Sequence, residues 1–502
     1  MLANLVAAFG QVFDPYVLGV ILLSAIYGLF VGAVPGLSAT MAVALLVPVT
    51  FFMPAVPAIA AMVTATAMAI FSGDIPGCLL RIPGTPASAA YTDEAHAMTK
   101  KGQAEVALGA GLVFSVMGGL FGTFVLITAA PSLAEMALMF SSFEYFWLVL
   151  LGLTCAIFIA SGNPLKGFVS LFLGLMIASV GMGNPAGYAR FTFGNSDLLG
   201  GISLVPIMVG MFAVSEVLRY AITAGQKMEI VESKIGNVFT GIWSLIVKYP
   251  ASILRGSILG TIVGALPGAG ADIAAYIAYA MSKKFSREPE KFGTGHVEGI
   301  VEASSANNSS LASAWIPALV FGIPGDSITA IVIGVLYMKN LNPGPMIFIN
   351  NPEAMYSVFL VFILANLIML PLGFLTIKLA KKILRVPRNI LMPLILLFCI
   401  VGAYSINNSA FDVGIMLFFG LLAYVMENNG FPIAPVILGV VLGGRLEETF
   451  ISSMIKSDGN VIAFFDRPIA GTLGVLTILV WSMPIVMRLL RKKQITEVYV
   501  NG

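Results

Sequence analysis

Long solid apolar runs, separated by short polar or Pro/Gly-rich breaks, cover nearly the whole chain. In the first half they lie near 17–34, 38–53, 55–72, 106–130, 143–160, 165–183 and 199–220. In the second they restart at 250 and recur near 271–281, 354–377, 389–404, 411–428, 432–445 and 470–490. The runs do not alternate as barrel strands do, so they predict helices. A spanning helix needs roughly 20 apolar residues. The pattern therefore predicts an all-α polytopic membrane protein with about 12 transmembrane helices. Two stretches break it, 73–90 and 300–340, and both are expected to be re-entrant or broken helical hairpins. Residues 91–105 (Asp93, Glu94, His96, Lys100, Lys101, Glu105) are polar and predict an exposed connection. Residues 221–249, with Lys227, Glu229, Glu232, Lys234 and Lys248, predict a cytoplasmic linker. The expected domains are a first transmembrane repeat (1–220), that linker, a second repeat (250–450), and an extra C-terminal helix with a basic tail (451–502).

The two broken stretches echo one another. Ile75-Pro76 followed by Ile82-Pro83-Gly84 returns as Ile316-Pro317 followed by Ile323-Pro324-Gly325, at a constant spacing of 241 residues (324 − 83). Val31-Gly32-Ala33-Val34-Pro35-Gly36 returns as Val263-Gly264-Ala265-Leu266-Pro267-Gly268, at 232 (267 − 35). A basic loop with Lys283, Lys284, Arg287 and Lys291 accounts for the difference. Weaker echoes follow in the same order: Phe172-Leu173-Gly174 with Phe418-Phe419-Gly420, and Val205-Pro206 through Gly210 with Ala434-Pro435 through Gly439. Pro removes a backbone donor and Gly tolerates positive φ, so Pro-Gly breaks a helix. Paired breaks at corresponding places in two halves point to a transporter's midplane site. The run 470–490 has no partner in the first half. Halves of odd span number would then be inverted, with the extra helix returning the tail to the cytoplasm.

Composition narrows the class further. Of 502 residues, 58% are hydrophobic and only 10% charged, against about 25% charged in soluble domains. A net charge of +2 gives no hint of a nucleic-acid partner. Arg488, Arg491, Lys492 and Lys493, directly after an apolar run, place the C-terminus in the cytoplasm by the positive-inside rule. No Lys or Arg precedes Arg81, so the N-terminus is expected to be mature structure rather than a cleaved signal. Cys78, Cys155 and Cys399 are scattered through apolar runs and suggest no disulfide framework. His96 and His296 both fall in polar loops, without metal-ligand spacing. No nucleotide-binding or hydrolase motif occurs, so the chain is not expected to be an enzyme. Any uphill transport would draw on an ion gradient.

Candidate chemistry gathers at the breaks, where polar side chains at membrane depth are costly and face a cavity or a bundle interior. The first half offers Pro35, Gly36, Ser38, Thr40, Asp74, Arg81, Pro83, Gly84, Thr85 and Ser88. The second offers Pro267, Gly268, Asp272, Glu298, Glu302, Ser304, Ser305, Asn307, Asn308, Ser309, Ser310, Pro324, Gly325, Asp326, Ser327 and Thr329. Free N–H groups at a half-helix N-terminus suit a carboxylate, and the side-chain oxygens of Ser304, Asn307 and Asn308 suit Na⁺. Each residue also has a plain structural reading. An isolated Pro-Gly is a kink, membrane Ser and Thr often bond their own backbone, and Asp326 reads best as a helix cap. Arg81 could meet a substrate carboxylate, pair with Asp74, or snorkel.

At this point the order of motifs resembles one family. The quoted stretches are Gly32 through Gly36, Ile82-Pro83-Gly84, Glu144-Tyr145-Phe146, Asn163-Pro164-Leu165-Lys166, Arg190-Phe191-Thr192-Phe193, Pro267 through Gly270, Glu302 through Asn308, and Gly322 through Gly325. Together they are similar to the large permease subunit of the tripartite tricarboxylate transporters (TctA type), from about 17 to 490. The resemblance implies a bacterial inner-membrane secondary transporter. It would work with a small transmembrane subunit and a periplasmic solute-binding protein, with uptake of an organic di- or tricarboxylate driven by Na⁺ or H⁺. It also implies an elevator-like mechanism, no organic cofactor, and compatibility with a homo-oligomer. The matching positions are both Pro-Gly breaks, both Ile-Pro-Gly tips and Asn307-Asn308. Leu37 through Thr40, and Thr85-Pro86 against Asp326-Ser327, depart from the family pattern, so substrate choice is expected to vary there. The rival reading is a channel or membrane scaffold without coupled transport.

Overall fold

The computed structural model describes residues 2–160, 163–183, 187–223, 236–268 and 270–482. The basic tail after 482 and residues 224–235 of the 221–249 linker lie outside them. The described chain is helical, and its one β-type contact is an isolated bridge between Gly181 and Arg190. Seven described helices are long and apolar enough to cross a membrane, and five shorter apolar helices accompany them. This is a multi-pass membrane protein.

The first half contains α1 (Leu2–Val12), α2 (Pro15–Ala33), α3 (Ala39–Phe51), α4 (Ala55–Ser72), α5 (Asp74–Leu80), α6 (Pro86–Ala89), α7 (Thr92–Lys100), α8 (Ala104–Ala137), α9 (Ser142–Ala160), α10 (Pro164–Ala178), α11 (Leu204–Val209) and α12 (Ser215–Thr223). A short π-helix, Gly210–Val214, joins the last two. The second half contains α13 (Ile242–Lys248), α14 (Pro250–Gly264), α15 (Gly270–Phe285), α16 (Val297–Ser313), α17 (Trp315–Phe321), α18 (Ser327–Met338), α19 (Ile347–Asn350), α20 (Pro352–Ile383), α21 (Arg388–Asn407), α22 (Ala410–Asn428), α23 (Ala434–Lys456) and α24 (Ala463–Asp466).

Contacts divide the chain differently from its sequence halves. One compact unit comprises Met1–Leu138 with Ile202–Ile433, and the other Met139–Gly201 with Ala434–Gly502. In the first unit, α2 packs on α4 as α14 packs on α16. A Cβ on Gly32 would lie 2.3 Å from both the Ala69 carbonyl oxygen and the Ser72 hydroxyl. One on Gly264 would lie 2.3 Å from Ser313 Oγ and 2.4 Å from the Ser310 carbonyl. The packing is therefore the same, residue for residue. Small residues let helix backbones touch where lipid supplies no hydrophobic drive between helices.

The long helices then cross over between halves. Helix α8 of the first half lies on α16 of the second, and α20 of the second on α4 of the first. The two weaker sequence echoes prove to be matching contacts of this exchanged kind. In the first unit α22 meets the α11–α12 segment, and Gly210 lies against the Met416 carbonyl and Gly420. In the second unit α10 meets α23, with Gly174 against the Val436 backbone and Gly439 against the backbone of Leu171 to Leu175.

Two expectations need correction. Residues 91–105 are not an exposed connection: 92–100 form α7, with Glu94, His96 and Thr99 buried. The polar side chains are satisfied by protein rather than water. His96 bonds the Cys78 carbonyl at 3.1 Å. Glu94 accepts the backbone N–H groups of Gly295 (2.7 Å), His296 (2.8 Å) and Gly293, and the Tyr279 hydroxyl (2.8 Å). For the same reason His296 is not a loop residue in water; it is the buried N-cap residue of α16.

Candidate functional site

The site is built from two turns and two hairpin tips, all in the first unit. At the end of α2, Pro35 and Gly36 form the middle of a turn closed by Leu37 N–H to Val34 O at 3.2 Å, with Gly36 at φ +85°. Pro at the second position and a positive-φ Gly at the third is the type II signature. Gly268, at φ +82°, repeats it after Pro267. Ser38 then caps α3, accepting from the Met41 amide at 3.1 Å, and Thr40 sits half-buried in the first helical turn.

The hairpin tips follow one template. Helix α5 ends at Arg81 in the left-handed region (φ +59°), and α17 ends at Gly322 (φ +69°), the position 241 residues on. The next amide turns back in both: Ile82 N–H to Pro76 O at 3.4 Å, Ile323 N–H to Pro317 O at 3.2 Å. Each tip then starts a new helix with a reciprocal capping box, Thr85 with Ser88 and Asp326 with Thr329. The Asp326 carboxylate accepts the Thr329 amide at 2.7 Å, so the capping role expected of it is real. Ser327 is the first residue of α18 and is half-buried.

The tips differ in exposure. Arg81, Ile82 and Pro83 are exposed, whereas Ile323, Pro324 and Gly325 are buried. The Arg81 guanidinium pairs with Asp93 at 2.9 Å rather than with Asp74. Gly84 donates to the Gly73 carbonyl at 3.0 Å. A Cβ there would lie 2.7 Å from Gly73 Cα and 2.8 Å from the Gly32 carbonyl. The first tip is thus wedged where α2 ends, just before the Pro35-Gly36 turn.

The two halves meet through α15. Its Asp272 accepts the Ala87 amide of the first tip at 3.1 Å, and a Cβ on Gly270 would lie 2.7 Å from Asp326 Cβ at the second. Helix α18 packs on α3 as α15 packs on α6. The starts of α6, α15 and α18 are thereby gathered by direct contact, with α3 packed on α18. Two participants escaped the predicted site. Asp272 was visible only as a polar residue near the second turn. Arg388, which reads as one of several basic residues flanking an apolar run, places its guanidinium nitrogen 3.4 Å from a Cβ built on Gly36.

Helix α16 is the polar centre, with every residue from Glu298 to Ser313 buried. Its polar side chains sort by partner. Glu302 pairs with Arg255 through Nε at 2.6 Å. Glu298 takes the Ser252 and Ser286 hydroxyls at 2.9 and 2.6 Å. Ser305 bonds the Val301 carbonyl and Ser309 the Ser257 carbonyl, both at 2.8 Å. These are structural. Ser304 Oγ, Asn307 Oδ1, Asn308 Oδ1 and Ser310 Oγ have no hydrogen-bonding partner within the protein. Asn307 and Asn308 point to different neighbours: Asn308 reaches Met369 on α20, and Asn307 faces Tyr91.

Comparison with known proteins bears directly on this architecture. The description "Tripartite tricarboxylate transporter TctA family" matches residues 18–438, which hold both turns, both tips and α16. The chain belongs to the TctA family. A relative from Agrobacterium vitis, "Uncharacterized 52.8 kDa protein in TAR-I ttuC' 3'region", is 33% identical over 473 residues, 94% of each chain. A second, "Uncharacterized protein in TAR-II ttuC' 3'region", is 35% identical over 228 residues, 45% of this chain and 94% of that one. No solved structure matches this TctA-family chain. Membership makes it a membrane transporter component and implies partner subunits.

Proposed function

We propose that this chain is the permease of a binding-protein-dependent secondary transporter in the bacterial inner membrane. It takes up an organic di- or tricarboxylate on a Na⁺ or H⁺ gradient, working with a small transmembrane subunit and a periplasmic solute-binding protein. The observation that carries this reading is the meeting of two Pro-Gly tips from matched halves at the start of α15, where Asp272 bonds the first tip and Gly270 lies against the second. Helix N-termini present free N–H groups and a positive dipole end, which suit an anion. The carboxylates of Asp326 at the second tip and of Asp272, which bonds the first tip from α15, would repel that anion. Its groups therefore fit better toward Pro35-Gly36, Ser38 and Thr40, beside Arg388. The coupling cation belongs with Ser304, Asn307 and Asn308.

In this reading the full chain has about 12 spans and two re-entrant hairpins in inverted repeats, and the hairpins move as an elevator. The exchanged packing of matched helices supports that arrangement. The test is reconstitution into liposomes with the small subunit and loaded binding protein, following labelled citrate and a panel of dicarboxylates. Accumulation is expected only with an inward Na⁺ or H⁺ gradient. Equilibration without accumulation, whichever gradient is applied, would favour a channel and overturn the proposal.

A further inference from the structure

Ser304 and Asn307 lie one turn apart on α16 and face the hydroxyl of Tyr91, which stands between α6 and α7 of the first half. That hydroxyl donates to Asp74 Oδ1 at 2.6 Å. Asp74 opens α5 immediately after the Gly73 break, and its side chain is buried. Asp74 Oδ2 and Asn307 Oδ1 have no protein partner here, and Ser304 Oγ meets no protein donor and faces only the Tyr91 hydroxyl. No Lys or Arg pairs with Asp74 among the described residues. The opposite wall is α8, where a Cβ on Gly111 would lie 3.1 Å from Asp74 Oδ2. The cluster has no copy in the other half, since Asp74 corresponds to Trp315 and Tyr91 to Val332 at the 241-residue spacing.

We propose that Asp74, Ser304 and Asn307 bind a sodium ion, with Tyr91 holding the carboxylate in position. The assignment deepens the ion-coupled reading above, on which it rests, by supplying an anionic ligand from the first half. A buried carboxylate within a membrane bundle needs a countercharge, and these ligands are hard oxygens carrying a single negative charge. That matches a monovalent metal ion, whereas divalent sites recruit several carboxylates. Among the described residues no three His, Cys, Asp or Glu side chains gather for a metal. The position also connects to the first tip: Gly73, next to Asp74, accepts the Gly84 amide. An ion that orders Asp74 therefore orders the strut on which the tip rests.

The experiment uses the full chain in lipid nanodiscs, measuring equilibrium ²²Na⁺ binding and thermal unfolding in NaCl against choline chloride. Saturable binding and a Na⁺-dependent rise in Tm are expected for the wild type. Asp74→Asn should weaken Na⁺ binding at least tenfold, and Asn307→Ala and Ser304→Ala at least threefold. Tyr91→Phe should weaken it less than Asp74→Asn. If Asp74→Asn does not fold, the Ser304 and Asn307 variants decide. No Na⁺ binding by the wild type, or wild-type binding by all of the variants that fold, overturns the site. So does proton-driven uptake that needs Asp74 but is indifferent to Na⁺. Gradient-driven uptake that keeps its Na⁺ dependence in Asp74→Asn overturns the site while leaving the carrier reading standing. Asp74-dependent Na⁺ binding without any coupled uptake supports the site and overturns the carrier reading.

Discussion

Glu94 ties α7, which follows the first tip, to the loop between α15 and α16, and Glu94→Gln tests how strongly. One carboxylate oxygen accepts from Gly293 N–H and the Tyr279 hydroxyl, the other from the Gly295 and His296 amides at 2.7 and 2.8 Å. A carboxamide keeps one acceptor oxygen and turns an NH₂ group toward the other pair of donors. Two bonds to a charged, fully buried acceptor are lost, each worth about 1.5–3 kcal/mol. Even at the lower figure the loop opens about 3 kcal/mol more easily, which is on the order of 100-fold. Lys101, whose ammonium donates to the Thr294 carbonyl at 2.7 Å, is unchanged in the variant and holds part of the loop. The assay is amide hydrogen exchange in a peptide covering 286–297, with a distant peptide in α20 as reference. Exchange in Glu94→Gln within threefold of wild type would refute the latch and the energetic reasoning behind it.

Two further predictions concern packing and charge. Ala at Gly84 should lower thermal stability by about 1–3 kcal/mol, because its Cβ meets backbone at 2.7–2.8 Å. Ala at Gly325 should cost somewhat less, since the Ala314 methyl and backbone atoms it meets stand slightly farther off, at 2.9–3.0 Å; Leu at either tip should abolish uptake. Equal Tm for wild type and Gly84→Ala would show that the first tip is not wedged as described. In the second unit, Arg467→Ala leaves the buried Glu144 carboxylate with only the Ser141 amide and hydroxyl as donors, at 2.7 and 2.6 Å. A loss of about 2 kcal/mol is expected, below the range for a fully buried pair because Arg467 is half-exposed. Arg467→Lys should recover part of it. Limited proteolysis between 139 and 201 reads the effect, and an unchanged cleavage rate would contradict it.

Much of the local geometry around the candidate site was legible in the sequence. Val-Pro-Gly and Leu-Pro-Gly at the ends of α2 and α14 favour a type II turn, and Gly36 and Gly268 took the same positive-φ conformation in both halves, whereas at the tips the left-handed residues are Arg81 and Gly322 rather than Gly84 and Gly325. The 241-residue register survived because each tip needs the same local parts: a left-handed residue, a reversing amide and a capped helix start. Partner assignments were not legible. Arg81 found Asp93, twelve residues on, while Asp74 found Tyr91. Glu94 and His96 look like solvated loop residues in a local window, because their donors and acceptors lie on other helices.

Hydrophobic run length and Pro-Gly placement, which act within a few residues, determined helix character and the breaks from the sequence alone. Which of the polar residues of α16 are structural was decided only in three dimensions. Glu298, Glu302, Ser305 and Ser309 have partners within reach, while Ser304, Asn307, Asn308 and Ser310 present oxygens that no protein donor meets. A buried polar group is defined by what surrounds it. For α16 those surroundings come from α14 and α15 of its own half and from α8, which the exchanged packing brings from the other.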